Sequence, residues 1–154
     1  MVECSDHPSL LRQAIELARQ ASARGNAPFG ALIVASDHTV LARATNTAAE
    51  HGLSTRHAEI NAIEQAQRAI GSRDLSGCTL IASAEPCPMC SGAIFWSGLS
   101  AVVFGASIGR MMALDHNASG QLPVGCGELL ADSPRPIAVT GPLLEDEALQ
   151  VFAG

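Results

Sequence analysis

Apolar residues recur every three or four positions in two stretches of the chain, residues 8–23 and 57–70. This spacing places them on one side of a helix, so each stretch is predicted to be an amphipathic helix. A glycine follows each stretch and supplies the stop. A third helix is predicted to begin at the prolines 86 and 88 and to end near residue 97, just before another glycine.

Short apolar runs between turn residues predict the strands. The runs at 29–35 and 39–45 flank the turn Ser36-Asp37-His38 and are predicted to form a β-hairpin. The run at 101–105 is apolar throughout, as expected for a strand covered on both faces. The polar stretch 46–56 is predicted to be a loop. Further strands are predicted at 78–84 and 137–140, and short helices at 108–114 and 143–152.

The predicted order of elements is α-β-β-α-β-α-β. Strands interleaved with helices indicate a three-layer α/β/α sandwich with a central mixed sheet. The length of 154 residues fits one domain, and we find no repeat or linker, so residues 1–154 are predicted to form a single domain.

Composition narrows the class of protein. Hydrophobic residues make up 47% and charged residues 16%, which supports a packed core and argues against intrinsic disorder. No apolar run reaches the roughly 18 residues of a membrane-spanning helix. The first residues lack the basic and apolar blocks of a secretory signal. We therefore expect a soluble, cytoplasmic protein without a membrane partner.

The charge balance argues against a polyanionic partner. Nine arginines and no lysine oppose fifteen acidic residues, giving a net charge of −6. Nucleic-acid binding takes most of its affinity from neutralised phosphates, and these arginines are scattered along the chain. A nucleic-acid partner is therefore not expected.

Five cysteines without an export signal indicate free thiols or metal ligands rather than disulfides. Cys87 and Cys90 lie three residues apart in Pro86-Cys87-Pro88-Met89-Cys90, at a predicted helix start. Their side chains share one face of the first turn, and the helix N-terminus favours the thiolate form that a metal needs. His57, in His57-Ala58-Glu59, begins another predicted helix in the same way.

If the two helix starts converge, one imidazole and two thiolates meet at one point. A structural zinc ion is normally closed by four protein ligands, whereas a catalytic zinc ion has three and a water molecule. Zinc lowers the pKa of such a water towards ~7. Glu59, two residues beyond His57, is then placed to take a proton from that water and pass it to a substrate nitrogen.

Together the two motifs resemble those of the zinc-dependent cytidine/deoxycytidylate deaminase superfamily. The resemblance covers about residues 8–105 and includes further short matches: Pro28-Phe29-Gly30-Ala31, Asn46, Glu85 and Gly92-Ala93-Ile94. It implies hydrolytic deamination of an amino group on a heteroaromatic base. In that reaction Zn²⁺ would be held by His57, Cys87 and Cys90, and Glu59 would carry the proton. Relatives of this kind are commonly oligomeric, so the resemblance also implies a homodimer.

The resemblance further implies which residues surround the base. Asn46 would hydrogen-bond it, the backbone N–H of Ala58 would hold its carbonyl, and Phe29 or Trp96 would line the pocket. The motifs are most similar to those of bacterial guanine deaminases, in which a carboxylate near the position of Asp115 binds N–H groups of guanine. Guanine is therefore the expected substrate, and purine metabolism the expected setting.

Alternatives remain open at this point. A tRNA adenosine deaminase shares the core motifs but usually carries a basic C-terminal helix, where this chain has Glu145-Asp146-Glu147. Cytosine or another aminated heterocycle is a further candidate substrate. A non-catalytic zinc scaffold or a redox Cys-x-x-Cys pair comes from a different class, and the Glu59 and His57 positions argue against both. Asn46 could equally cap a turn, and Phe29 and Trp96 could equally be core residues.

Overall fold

The computed structural model describes residues 2–114 and 120–153, which form seven α-helices and five strands. The helices are α1 (His7–Ala23), α2 (Ala48–His51), α3 (Ala58–Ile70), α4 (Pro88–Trp96), α5 (Ile108–Leu114), α6 (Cys126–Leu130) and α7 (Glu145–Leu149). The strands are β1 (Gly30–Val34), β2 (Val40–Thr45), β3 (Thr79–Ala84), β4 (Ala101–Ala106) and β5 (Ala138–Thr140). Over the described ranges, every helix is too short or too polar to cross a membrane.

The strands form one mixed sheet in the order β2-β1-β3-β4-β5. β1 runs antiparallel to β2, as the hairpin pattern predicts, and antiparallel to β3. β3, β4 and β5 are parallel to one another, with Ile81 of β3 opposite Val103 of β4. Every residue of β4 is buried, in agreement with its unbroken apolar sequence. The carboxyl ends of β3 and β4 therefore lie side by side at one edge of the core.

Helices cover both faces of the sheet, because successive strand residues point to opposite sides. In β1, Ala31 and Ile33 pack with α3, α4 and α6, whereas Leu32 and Val34 pack with α1. A smaller apolar cluster joins α5 and α7 to the ends of β3 and β4. The three-layer α/β/α sandwich with a central mixed sheet is thus confirmed.

Helix α1 lies unusually close to the sheet at Gly30. A Cβ atom at this position would lie 2.5 Å from Leu17 Cβ and 2.7 Å from the backbone nitrogen of Ala18. Carbon atoms in contact are normally about 3.5–4.0 Å apart, so no larger side chain fits without moving the helix. The glycine therefore sets how closely the first helix packs on β1.

A single arginine holds the C-terminal end of α4. The Arg135 guanidinium donates hydrogen bonds to the carbonyl oxygens of Leu99 at 2.6 Å, Phe95 at 2.7 Å and Ile94 at 3.2 Å. It also lies 5.6 Å from the centroid of the Phe95 ring. The carbonyls of Ile94 and Phe95 also accept hydrogen bonds from the Ser97 hydroxyl and the Gly98 N–H. The guanidinium adds charged donors at these last carbonyls and so helps to fix the helix end.

Two short helices are missing from the sequence prediction. Helix α2 lies inside the predicted loop 46–56 and is only four residues long, ending at Gly52 in a left-handed conformation with φ 66°. Helix α6 has five residues and follows a proline-containing stretch. One helical turn contains too few apolar positions to show a periodic pattern, which explains both omissions.

Candidate metal centre

The two metal-binding motifs occupy equivalent positions in the fold. His57 is the N-cap of α3, and Cys87 is the N-cap of α4; both have extended backbone angles, with ψ of 155° and 171°. Their carbonyl oxygens accept the first helical hydrogen bonds, from Asn61 and Ser91 respectively. Each side chain therefore leaves its backbone just before the helix begins, and both helices direct their N-termini to the same place.

Three potential ligands meet there. The Nδ1 atom of His57 lies 3.6 Å from the Sγ atom of Cys87 and 3.6 Å from the Sγ atom of Cys90. All three ligand atoms lie within 4.8 Å of one another, and among the described histidine, cysteine and acidic side chains this is the only such group.

The separations fit zinc. Tetrahedral coordination with Zn–N near 2.0 Å and Zn–S near 2.3 Å places the nitrogen about 3.5 Å from each sulfur. The observed 3.6 Å agrees with that value. The set supplies three protein ligands, which matches a catalytic zinc site with one open position rather than a closed structural site.

Hydrogen bonds within the group shift the pKa values of its members. The pKa of Cys87 is lowered to about 4, because Cys90 and then His57 hydrogen-bond to its sulfur. The pKa of Cys90 is raised, because its thiol is the donor to Cys87 and is buried. The pKa of His57 is raised by its hydrogen bond to Cys87. Without metal, one sulfur thus carries the charge while the other keeps its proton.

Glu59 lies beside these ligands on the first turn of α3. Only 7% of the residue is exposed. Burial is the main cause that raises the pKa of its carboxyl, and the nearby Cys87 charge raises it further. A carboxyl in this setting can both accept and return a proton near neutral pH.

Polar side chains fix the loop that carries Asn46. The Asn61 amide on α3 donates to the Thr45 carbonyl and to the Thr47 hydroxyl, both at 2.9 Å. These bonds enclose Asn46, which is 4% exposed. The first turn of α3 therefore positions the end of β2 as well as the metal ligands.

Asn46 does cap a turn, and it also faces the site. Its Oδ1 accepts a hydrogen bond from the Ala48 N–H at 3.0 Å, as one of the two interpretations of this residue expects. Because the oxygen is used in this way, its Nδ2 group is left to donate elsewhere, and Asn46 lines the cavity beside His57 and Cys87. The two interpretations are therefore compatible.

A cavity of about 460 Å³ opens onto His57 and Cys87. Phe29 lines it and packs edge-on against Phe152, with ring centroids 5.7 Å apart. Ala58 is fully buried at the start of α3, where the first N–H of a helix has no intrahelical partner. The sequence does not predict the other residues that line the cavity, because most of them lie outside the motifs. They are Ala27, Ala48, Ala49, Pro88, Met89, Gly120, Gln121 and Leu122.

The structure corrects the prediction that Trp96 lines the pocket. Trp96 is 80% exposed and lies in a separate groove against Ile60 and Ile63 of α3. It ends α4, six residues after Cys90, which is about 9 Å along a helix axis. Asp115, the other predicted contact, lies outside the described residues.

The chain is similar in sequence to a known protein family and to proteins of known type. Residues 4–106 match the family model for the cytidine and deoxycytidylate deaminase zinc-binding region. A probable cytosine deaminase of Schizosaccharomyces pombe is 41% identical over 142 residues, covering 90% of this chain and 85% of the relative. A tRNA-specific adenosine deaminase of Bacillus subtilis is 37% identical over 136 residues, covering 79% and 84%.

A solved structure is also similar. The guanine deaminase from Nitrosomonas europaea superposes with a TM-score of 0.80 at 30% sequence identity. The superposition covers 94% of this chain and 81% of that one. The similarity therefore extends beyond the residues that the family model matches.

Proposed function

Because the chain belongs to the cytidine and deoxycytidylate deaminase zinc-binding family, we propose that it deaminates a free nucleobase, with guanine as the substrate. One observation carries the proposal. A three-ligand set with zinc spacing, a buried carboxyl and an amide donor all lie at or beside one cavity large enough for a purine. The overall reaction would replace the amino group of the base by oxygen from water and release ammonia.

His57, Cys87 and Cys90 would hold the zinc ion. Zinc bound at this position would lower the pKa of a coordinated water molecule towards ~7. Glu59 would accept one proton of this water and deliver it to the ring nitrogen of the base. It would then take the second proton of the same oxygen and pass it to the amine, which leaves as ammonia. Its burial suits both steps, because a raised pKa lets the same carboxyl act as base and as acid.

The cavity residues would orient the base. The Asn46 Nδ2 group would donate to an acceptor on the base, and the N–H of Ala58 would hold a ring carbonyl. Phe29 would supply an apolar surface for the ring. Asp115 keeps its predicted role as acceptor for the N–H groups of guanine.

Guanine is preferred because the motifs around the metal ligands most resemble those of bacterial guanine deaminases, and a guanine deaminase superposes with a TM-score of 0.80. Cytosine is the second candidate, because the probable cytosine deaminase of S. pombe is 41% identical over 142 residues. The charge of −6 and the lack of lysine argue against a tRNA substrate, despite the 37% identity to a tRNA-specific enzyme.

The test is ammonia release from guanine, cytosine, adenine and a tRNA anticodon stem, measured with zinc-loaded protein. We expect the largest kcat/KM with guanine. A larger kcat/KM with cytosine would change the proposed substrate to cytosine and leave the proposed mechanism unchanged. Turnover of the RNA alone would contradict the free-base proposal.

We also propose that the enzyme is a homodimer built on the outer face of α4. Met89 and Trp96 lie two turns apart on this helix and are exposed, with the small residues Gly92 and Ala93 between them. A second copy related by a twofold axis would place each Trp96 near the other's Met89, with the small residues at the crossing. This pattern is self-complementary, as a twofold interface requires.

The exposed indole supports this partner. An exposed tryptophan beside a groove of about 510 Å³ is typical of an interface anchor. We expect wild-type protein to sediment as a dimer and Trp96→Glu to sediment as a monomer. Leu53→Glu is the control, since Leu53 is an exposed apolar residue outside α4. A monomeric wild type would exclude the dimer.

A further inference from the structure

Glu85 connects three segments of the chain around the site. It follows β3 directly and precedes the Pro86-Cys87 step, and its own N–H donates to the carbonyl of Ala106 at 2.7 Å. Its carboxylate reaches across to two helix starts. Oε1 accepts the N–H of Ile108 at 2.9 Å, and Oε2 accepts the N–H of Cys126 at 2.8 Å.

These two N–H groups belong to the first residues of α5 and α6. The stretch 120–125 leads directly into α6, and its residues Gly120, Gln121 and Leu122 line the cavity. The carboxylate therefore joins the loop that carries Cys87 to the segment that forms the opposite wall of the cavity.

The arrangement requires a carboxylate of this length. Both oxygens act as acceptors, and an amide would present one N–H₂ group to a backbone N–H, so that one of the two bonds would be lost. An aspartate is one methylene shorter and could not span both helix starts. Hydrogen bonds to an ionised acceptor are also stronger than those to a neutral one.

Gly125 supplies a second observation for the same contact. As the N-cap of α6, it has ordinary backbone angles of φ −74° and ψ 149°, which any residue can adopt. A Cβ atom there would nevertheless lie 2.9 Å from Oε2 of Glu85. Glycine is therefore needed here to make room for the Glu85 carboxylate, and not to allow an unusual backbone conformation.

We propose that Glu85 is a positioning residue that sets the width of the substrate cavity by tying the wall segment 120–125 to the metal-ligand loop. This inference rests on the proposed function for its kinetic consequence. Each oxygen of the carboxylate accepts a backbone N–H group, and Glu85 is not among the residues that line the cavity, so it does not bind the base directly. It acts through Gln121 and Leu122, and its loss would loosen binding of the base without removing zinc or the proton carrier.

The test compares Glu85→Gln with wild type in two ways. Hydrogen exchange of peptides that contain the starts of α5 and α6 is expected to be faster in the variant. With guanine, or with the base that the substrate panel identifies, KM is expected to rise roughly tenfold while kcat and zinc content stay close to wild type. Gly125→Ala, which displaces the same carboxylate, is expected to raise KM in the same direction.

Glu145→Gln is the matched control. Glu145 Oε2 accepts the N–H of Ser107 at 2.7 Å, so it also holds the chain at the start of α5. Its other oxygen accepts from Arg110 rather than from the start of α6. We expect this variant to leave KM unchanged even if it lowers thermal stability.

Three results would overturn the proposal: unchanged exchange at both helix starts in Glu85→Gln, an unchanged KM, or an equal rise of KM in Glu145→Gln. If wild-type protein deaminates none of the bases offered, the proposed function fails. The exchange measurement then decides by itself whether Glu85 holds the two helix starts.

Discussion

The Nδ1 atom of His57 lies 3.6 Å from the Sγ atom of Cys87, although thirty residues separate them in the chain. Zinc–ligand bond lengths predict about the same distance. We therefore expect about one zinc ion per chain in protein purified without chelators, measured by atomic emission.

Removing one ligand tests this geometry. Cys90→Ser and His57→Ala are expected to lose most of the bound zinc, whereas Cys78→Ser, a substitution at a buried thiol outside the site, should keep it. A chelator should inactivate the wild type and added zinc should restore it. A zinc content that is equal in all three variants would contradict the assignment of the ligands.

Zinc binding to the metal-free protein should release protons. Cys87, with its pKa lowered to about 4, is already a thiolate at neutral pH. Cys90 keeps its proton because its pKa is raised, and the raised pKa of His57 favours the imidazolium. Both must be deprotonated to bind metal, so we expect at least one proton to be released per zinc near pH 7 and weaker binding as the pH falls.

Calorimetry in buffers of different ionisation enthalpy measures this number. A release close to zero, or an affinity that improves on acidification, is incompatible with the charge distribution described for the three ligands.

Glu59→Gln should separate zinc binding from catalysis. The amide has nearly the same shape but cannot carry a proton, so we expect turnover to fall by roughly 10²–10⁴-fold with zinc content unchanged. Glu64→Gln on the same helix is the control, because Glu64 pairs with Arg56 outside the cavity. Loss of zinc in Glu59→Gln would instead make this residue a structural support of the site.

Asn46→Asp distinguishes the two tasks of this side chain. Aspartate keeps an acceptor for the Ala48 N–H and removes the Nδ2 donor that we propose binds the base. We expect kcat/KM to fall by roughly tenfold to a hundredfold with little change in melting temperature, whereas Asn46→Ala should lower both. Full activity in Asn46→Asp would show that the side chain caps the turn but does not bind the base.

Gly30→Ala should destabilise the fold rather than the chemistry. The added methyl group would meet the backbone of α1 at Ala18, and overpacking of this kind costs about 1–3 kcal/mol. At Gly109, on α5, a Cβ atom meets no atom within 4 Å, so Gly109→Ala should be neutral or stabilising by up to ~1 kcal/mol. Urea unfolding of both variants measures the difference.

The sequence predicts the metal centre well because its chemistry is local. His57 and the Cys87–Cys90 pair each stand at a helix start, and that position is visible as a change from polar or proline-containing sequence to helical periodicity. Their convergence follows from the sheet, because α3 and α4 pack beside each other on the same face of the neighbouring strands β1 and β3. The main strands and helices are also predicted from local sequence, because their apolar patterns are long enough to show the period of a helix or a strand.

The wall of the cavity is harder to predict. Gln121 and Leu122 line it although no metal-binding or strand motif contains them, so no local pattern in the sequence places them there. Trp96, in contrast, is predicted to line the cavity but does not. An aromatic residue in an almost wholly apolar helix is expected to be covered within its own chain, yet its indole faces outwards.

The Arg135 contacts have a practical consequence for protein engineering. The family match stops at residue 106, which makes that position an obvious place to cut a minimal deaminase for fusion to another protein. Such a fragment would lack the guanidinium that donates to the carbonyls of Ile94, Phe95 and Leu99. It would therefore lose the contacts that hold the far end of the helix that begins at the two metal-binding cysteines. A transplantable version of this enzyme has to retain the chain at least through β5.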